Sequence, residues 1–498
     1  MWAGHRGRRR GIPAPYLLGL VGCLLLVGRS VQAQHAGAGE AIAPLYSDHW
    51  AYAALERLAA AGWIEPGRID GARPLPVGVV ADALEEAAAR AADGDDSEPA
   101  GLARFARMAW ERFRREFPTN APVAGSIRIG YEERSSRDRE WRGRVFEPTL
   151  VWSPAPWLGL SYAPECHYGG FAGSEATGNG RLGHLNAATR WNRVWLFAGR
   201  GSLSFGTGAS GGVTLSDAAI FDGVGIGLVE PLDVSVLGRV NGLVYVSRIG
   251  ADEFGDASIF GAMRVSLTPA PWIQLHLNRT LLVARKNRGE VLGPEDVLFL
   301  LVGKHTLFED QRASIGVRLR TNIAGWAVQP YLEWGFEDTA GIDEDPGVVV
   351  GLFAPAIPLL PDVSLRYEYT AFGEDAQLFG DFEQRNWYRH SSGIREQYVD
   401  IAGTPIGHPL GGYGYEHRVE TGVWLDNARV RLDLAAFQRD RKPRNLLYDR
   451  QPGKSVGGTV DLIFMPVSGA EVVTTLRAEH GAAGWSTRRV GVALRASL

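Results

Sequence analysis

Cysteine is almost missing from this chain, with two in 498 residues, at positions 23 and 166. That scarcity excludes a disulfide framework and any Cys-rich zinc module. Methionine is also scarce, four in all, which argues against a core full of soft ligands. Beyond residue 33 no apolar run approaches the roughly 20 residues that a membrane-spanning helix requires, and the longest, Val297 to Val302, is far too short. Aromatics, by contrast, are plentiful. Fifteen Trp, fifteen Tyr and nineteen Phe are too much apolar surface to leave solvated, so disorder is excluded. The length fits either several soluble domains or one large closed sheet with an appendage.

Residues 1–33 read as a secretory signal. Arg6, Arg8, Arg9 and Arg10 form a basic start, Leu17 to Val27 a short apolar stretch, and Val31-Gln32-Ala33 a small-residue cleavage pattern. Leu20-Val21-Gly22-Cys23 also fits a lipoprotein cleavage box. Five arginines and no acid leave with this segment, which takes the net charge from −4 to −9. An exported chain without a spanning helix enters a membrane only as a closed barrel, because lipid leaves no other partner for backbone N–H and C=O groups.

Residues 41–118 have helical grammar. Ser47 is positioned to cap a helix from Asp48 to Ala61, with Trp50, Ala54, Leu55 and Leu58 on one stripe and Gly62 as its stop. A second helix is expected over Val77 to Ala92. A third starts near Pro99, carries Leu102, Phe105, Ala106, Ala109, Trp110 and Phe113 at helical spacing, and ends before Pro118. Together they make a compact bundle.

From Ala121-Pro122 onward the period changes to two. Ile127, Ile129 and Tyr131 alternate with Arg128, Gly130 and Glu132, and the same beat recurs in Ile273-Leu275-Leu277, Ile315-Val317-Leu319, Val363-Leu365-Tyr367-Tyr369, Val430-Leu432-Leu434 and Val490-Val492-Leu494. The alternation fills the 376 residues after position 122 without a helical interruption. Charges stand mid-strand on the polar face: Arg318, Arg320, Arg366, Glu368, Arg431, Asp433 and Asp461. Trp152, Trp157, Tyr162, Trp272, Tyr331, Trp334, Tyr367 and Tyr369 fall near strand ends, where interface girdles place aromatics. Tight Pro-Trp turns at 153–158 and 268–273 contrast with long polar stretches at Pro164 to Gly183, Thr339 to Gly347 and Phe372 to Gly403. Short turns on one side and long loops on the other are the outer-membrane arrangement. The pattern therefore predicts an all-β transmembrane protein, a large closed antiparallel barrel over 122–498.

Chemistry-bearing motifs are sparse. Gly208-Ala209-Ser210-Gly211-Gly212 matches the nucleophile-elbow string but lacks the strand–turn–helix context that motif needs. Acidic pairs such as Glu132-Glu133, Glu337-Asp338 and Asp343-Glu344-Asp345 read as solvated loops, and the histidines are scattered. No enzyme activity, cofactor or metal is expected. The densest segment lies between Asp381 and Tyr415, where aromatics alternate with Arg, Asn, Asp and His. Such side chains stack on sugar rings and hydrogen-bond to sugar hydroxyls. Asp381, Arg385, Trp387, Tyr388, His390, Tyr398 and His408 are the candidate carbohydrate-binding residues. The competing reading of the same segment is an extracellular loop folded into the lumen as a plug.

Leu365-Arg366-Tyr367-Glu368-Tyr369, followed by Tyr388-x-His390 and Gly403-x-Pro405-Ile406-Gly407-His408-Pro409-Leu410-Gly411, resembles the Wzi family of capsule assembly outer-membrane proteins. Tyr331 to Asp338 is similar to a second stretch of that family. The resemblance implies a barrel of about eighteen strands, blocked on the periplasmic side by a small helical plug at 41–118. About 21 residues per strand accommodates a tilted strand of 9–11 residues plus turns. It also implies lectin-like binding of capsular or other extracellular polysaccharide in capsule assembly. The expected partners are that polysaccharide and outer-membrane lipid, with no nucleic acid, in a monomer. Tyr46 to Ile64 resembles the opening of an S-layer homology module, which leaves one alternative: a porin tethered to the cell wall by a periplasmic domain.

Overall fold

A computed structural model describes residues 41–93, 100–118, 121–136, 139–171, 177–216, 219–249, 258–284, 308–323, 326–337, 346–376, 387–388, 404–425, 429–467 and 469–498. Three helices lead: α1 (Ala51–Ala60), α2 (Val77–Asp93) and α3 (Ala100–Glu116). Eighteen long strands follow. The first six are β1 (Val123–Ser136), β2 (Arg139–Ala155), β3 (Leu158–Phe171), β4 (Thr177–Trp191), β5 (Val194–Ser202) and β6 (Ile220–Leu228). The next six are β7 (Gly238–Ile249), β8 (Ser258–Ala270), β9 (Ile273–Ala284), β10 (Phe308–Leu319), β11 (Trp326–Glu337) and β12 (Gly347–Ala354). The last six are β13 (Val363–Phe372), β14 (Gly414–Leu425), β15 (Val430–Arg441), β16 (Gly453–Val467), β17 (Ala470–Gly481) and β18 (Ser486–Ser497). Each pairs antiparallel with its neighbour, and β1 closes on β18 from Ser126↔Ser497 to Ser136↔Thr487.

Closure leaves no sheet edge, and the period of two then divides the residues between two environments. Ile129, Val265, Leu277, Ile315, Leu332, Val460, Val492 and Leu494 face outward and are exposed. Arg264, Asn278, Arg312, Ser314, Arg318, Glu333, Arg366 and Glu368 face inward and are buried. Arg431 also lies inside, near the Trp424 ring and paired with Asp433 at 2.7 Å. An apolar wall turned outward around enclosed charges is the inverse of a soluble protein, and it belongs in lipid. No described helix is long and apolar enough to cross a membrane.

Three local expectations differ from the structure. Helix α1 begins at Ala51 rather than Asp48, and its first turn is served by His49, whose Nδ1 accepts from Ala51 N–H at 3.1 Å. Ser47 instead hydrogen-bonds Ser202 of the barrel wall. Within Pro164 to Gly183, residues 164–171 and 177–183 are strand, the end of β3 and the start of β4, where a loop was expected. Tyr331 points inward and is buried, where its hydroxyl donates to Glu368 at 2.8 Å; Trp157 and Trp272 do sit exposed at turns, as expected of a girdle.

The helices pack on one another through Leu55, Leu58, Val80, Leu84, Phe105 and Phe113, and that core continues into Ala124, Val151 and Trp424 of the wall. The bundle therefore closes the barrel mouth bordered by the short turns. Arg57 Nε donates to Pro355 O at 2.6 Å, and Arg104 pairs with Asp362 at 2.9 Å on the same rim. Deeper in, Glu56 meets Arg366 of β13 at 2.9 Å, and Asp70 accepts from Ser266 of β8 at 2.9 Å. Tyr46 to Ile64, the stretch similar to an S-layer homology module, is part of this packed mouth.

Candidate functional site

The lumen is crossed by chain that leaves the wall. After β5 the segment 203–216 turns inward, and Ser204–Phe205 pairs antiparallel with Ala72–Arg73 of the helical unit. A glycine-rich segment exposes many N–H groups, and each needs an acceptor when buried. Glu368 takes those of Ala209 (2.8 Å) and Ser210 (3.4 Å), while Glu333 takes that of Val213 (3.2 Å). Ser314 donates to the same Glu333 oxygen at 2.7 Å. The segment's carbonyls are served by arginines: Arg264 donates to Phe205 O at 2.9 Å, and Arg318 to Gly206 O at 2.8 Å and Thr207 O at 2.9 Å. The elbow-like string is thus a backbone tether. Its acceptors Glu333 and Glu368 were missed as partners by sequence reasoning, because they lie more than a hundred positions further along the chain.

A second layer rests on this segment. Ser216 N–H donates to Ile406 O at 3.0 Å and its hydroxyl to Gly407 O at 2.7 Å. Tyr388 donates to Val213 O at 2.6 Å and accepts from His408 N–H at 2.6 Å. Gly407 is required there, because a Cβ would overlap the Tyr388 ring. Trp387 N–H donates to Gly412 O at 2.8 Å, and Arg312 holds Trp387 O from β10. Phe372 packs against Trp387, Tyr388 and His408 with ring centroids 5.5–6.0 Å apart. Asn445, on the loop after β15, donates to Leu410 O (2.8 Å) and Tyr413 O (2.7 Å). Helical unit, glycine segment, long loop and final loop form one continuous column.

Of the seven candidate residues, Trp387, Tyr388 and His408 are described, and all three are buried in this column. The column brings them together as a packing and hydrogen-bonding cluster, not as an open sugar surface. His408 Nδ1 accepts from Leu410 N–H at 3.1 Å. Burial above all, with Arg439 and Arg418 adding and Glu416 opposing, pushes the imidazole down to about 4, so it stands neutral. Asp381, Arg385, His390 and Tyr398 lie outside the described residues. Among the described residues no group of three His, Cys, Asp or Glu side chains is placed to hold a metal.

A closed eighteen-stranded barrel with lipid-facing outer wall, helical plug and inward-folded loops defines the class: an occluded outer-membrane barrel. The sequence profile of the capsule assembly protein Wzi family matches residues 111–480, and the chain belongs to that family. Among solved structures it is similar to Escherichia coli Wzi, an outer-membrane carbohydrate-binding β-barrel involved in group 1 capsule assembly. The TM-score is 0.65 at 14% identity, over 92% of this chain and 99% of that one. Pseudomonas aeruginosa OccK5 (OpdH) matches more loosely, with TM-score 0.45 and 9% identity over 76% of this chain and 96% of that one. OprD of the same organism gives 0.42 and 10% over 76% of this chain and 95% of that one. No curated protein matches the sequence.

Proposed function

We propose that this protein holds capsular or other extracellular polysaccharide at the cell surface and performs no chemistry on it. The observation that carries the reading is the loop column. Trp387-Tyr388 on one side and His408 on the other are pinned inside the barrel, so the chain between them starts and ends on fixed anchors. Fixed anchors reduce the ordering entropy that a loop loses on binding a ligand. In this reading Asp381, Arg385, His390 and Tyr398 contact sugar, while Trp387, Tyr388 and His408 anchor the segments that carry them. Family membership and the similarity to a carbohydrate-binding barrel support the same assignment. Residues 1–33 act as a cleaved signal, the helices at 41–118 face the periplasm, and the protein works as a monomer.

The test is binding of extracted capsular polysaccharide to the purified protein in detergent. The triple substitution Arg385→Ala, His390→Ala, Tyr398→Ala is expected to weaken binding about tenfold or more, each lost contact contributing on the order of 1 kcal/mol. Unchanged affinity removes these residues from the site. Release of new reducing ends from the polysaccharide replaces the binding role with an enzymatic one.

A further inference from the structure

A cleft apart from the column lies between helix α3 and the barrel rim. Helix α3 runs along the rim below β15 to β18, and between them is a space of about 550 Å³. Five arginines line it against two glutamates, Glu111 and Glu471. Arg112 meets Glu471 at 2.5 Å, Arg104 meets Asp362 at 2.9 Å, and Arg115 is also partnered. Arg107 on α3 and Arg429 on the turn before β15 are exposed and form no side-chain hydrogen bond or ion pair among the described residues. The cleft thus keeps a surplus of positive charge after its internal pairs are counted. Its opposite wall is apolar. Met465, Pro466 and Val467 end β16, and Val467, 64% exposed, stands on the same rim as the lipid-facing strand residues.

Unpaired guanidinium groups beside an exposed apolar rim, at the level where a barrel meets its membrane surface, match one kind of molecule. It carries an anionic phosphate head and a hydrocarbon tail. Arginine suits phosphate through its planar fork of donors. Basic residues at a membrane surface attract anionic lipid heads, and the attraction falls off within a Debye length. We infer that this cleft seats the headgroup of an anionic phospholipid, with phosphate on Arg107 and Arg429 and an acyl chain along Pro466 and Val467. The bound lipid bridges α3 to the rim where Arg112–Glu471 already joins them, and so helps hold the plug in the mouth.

The test uses the full-length protein in detergent micelles doped with equimolar phosphatidylglycerol and phosphatidylcholine of matched chains, with retained lipid counted by native mass spectrometry. The wild type is expected to retain phosphatidylglycerol about tenfold over phosphatidylcholine, a preference set by two surface arginines. The double variant Arg107→Gln, Arg429→Gln should bring the ratio near unity. Arg114→Gln, on α3 but outside the cleft, should leave it unchanged, and heat-modifiable gel mobility confirms that each barrel is folded. A separate arm adds 10 mM inorganic phosphate at roughly constant ionic strength, below the range where general screening dominates. Displacement of the lipid by free phosphate overturns the lipid assignment in favour of a soluble anion. Equal retention of the two lipids by the wild type, or an undiminished preference in the double variant, overturns it outright, including in favour of an acidic periplasmic partner.

Discussion

Along β4 to β13 the inner wall carries Trp195, Phe197, Phe221, Tyr245, Phe260 and Phe372, and these pack with Phe205, Val213, Leu215, Trp387 and Tyr388 of the loop column into one apolar cluster. Along β14 to β18 inward positions carry ions instead. Arg418 pairs with Glu420 at 2.6 Å, Arg431 with Asp433 at 2.7 Å, and Glu479 takes both Arg439 (3.1 Å) and Arg441 (2.9 Å). On this side, between α1 and β13 to β16, lies a chamber of about 260 Å³ bordered by Arg57, Glu56, Trp424 and Asp461. One half of the barrel is filled by folded-in chain, and the other keeps a small chamber between its paired charges. Filling follows from composition: aromatic inner walls exclude water and recruit apolar chain, whereas paired charges repay their desolvation only when neighbouring groups or water complete their shells.

The sharpest way to break this contrast is to attack the charges that the packed half retains. Arg264 is buried and bonds Asp70, Phe205 O, Asn278 and His276, joining plug, column and wall. Arg264→Leu is expected to cost about 3–5 kcal/mol, the usual penalty for removing one partner of a buried ionic network. Urea unfolding followed by heat-modifiable mobility measures it, and a loss under about 1 kcal/mol would mean the column does not depend on this anchor.

Acid attacks the column next. The folded pKa of His408 lies near 4, below its unfolded value of about 6.5. Between those values the unfolded chain binds a proton that the native state refuses, so stability is fully present above pH 6.5 and declines as pH falls toward 4. The loss levels off at about 3 kcal/mol below pH 4. Its main cause is burial of the imidazole, and a protonated Nδ1 also cannot accept the Leu410 N–H bond. Unfolding midpoints from pH 8 to 4 should show the slope in the wild type and a flatter one in His408→Gln.

Tyr388→Phe removes the hydroxyl that joins Val213 O to His408 N–H while keeping the ring, and should cost about 1–2 kcal/mol. Conductance in planar bilayers sharpens the comparison, since a loosened column on the packed side should admit small ions that the wild type blocks. The smallest effect is expected on the charged side. Arg431→Gln breaks a partly exposed pair within β15 and should change stability by less than about 1 kcal/mol, read in the same urea titration.

Much of this architecture was legible along the chain. Period-two stretches such as Ile127–Tyr131 and Val490–Leu494 marked strands, and their charged alternate positions marked an enclosed inner face. Leu102, Phe105, Ala109 and Phe113 marked α3 by spacing alone. The site was less legible. Trp387, Tyr388 and His408 have the composition of a sugar platform and the environment of a plug, and composition does not tell an exposed aromatic from a buried one. Tyr331 misled for the same reason: near a strand end an aromatic fits a girdle, but its register parity with Glu333 turned it inward.

The sequence by itself determined strand, helix and face, because those depend on neighbours two to four positions away in the chain. Only the tertiary structure decided that Asp70 would meet Arg264, Glu56 meet Arg366 and Gly407 lie beneath Tyr388. Those contacts join remote segments or the two ends of one long loop, and they exist only once closure of the barrel fixes which inward positions face one another across the lumen.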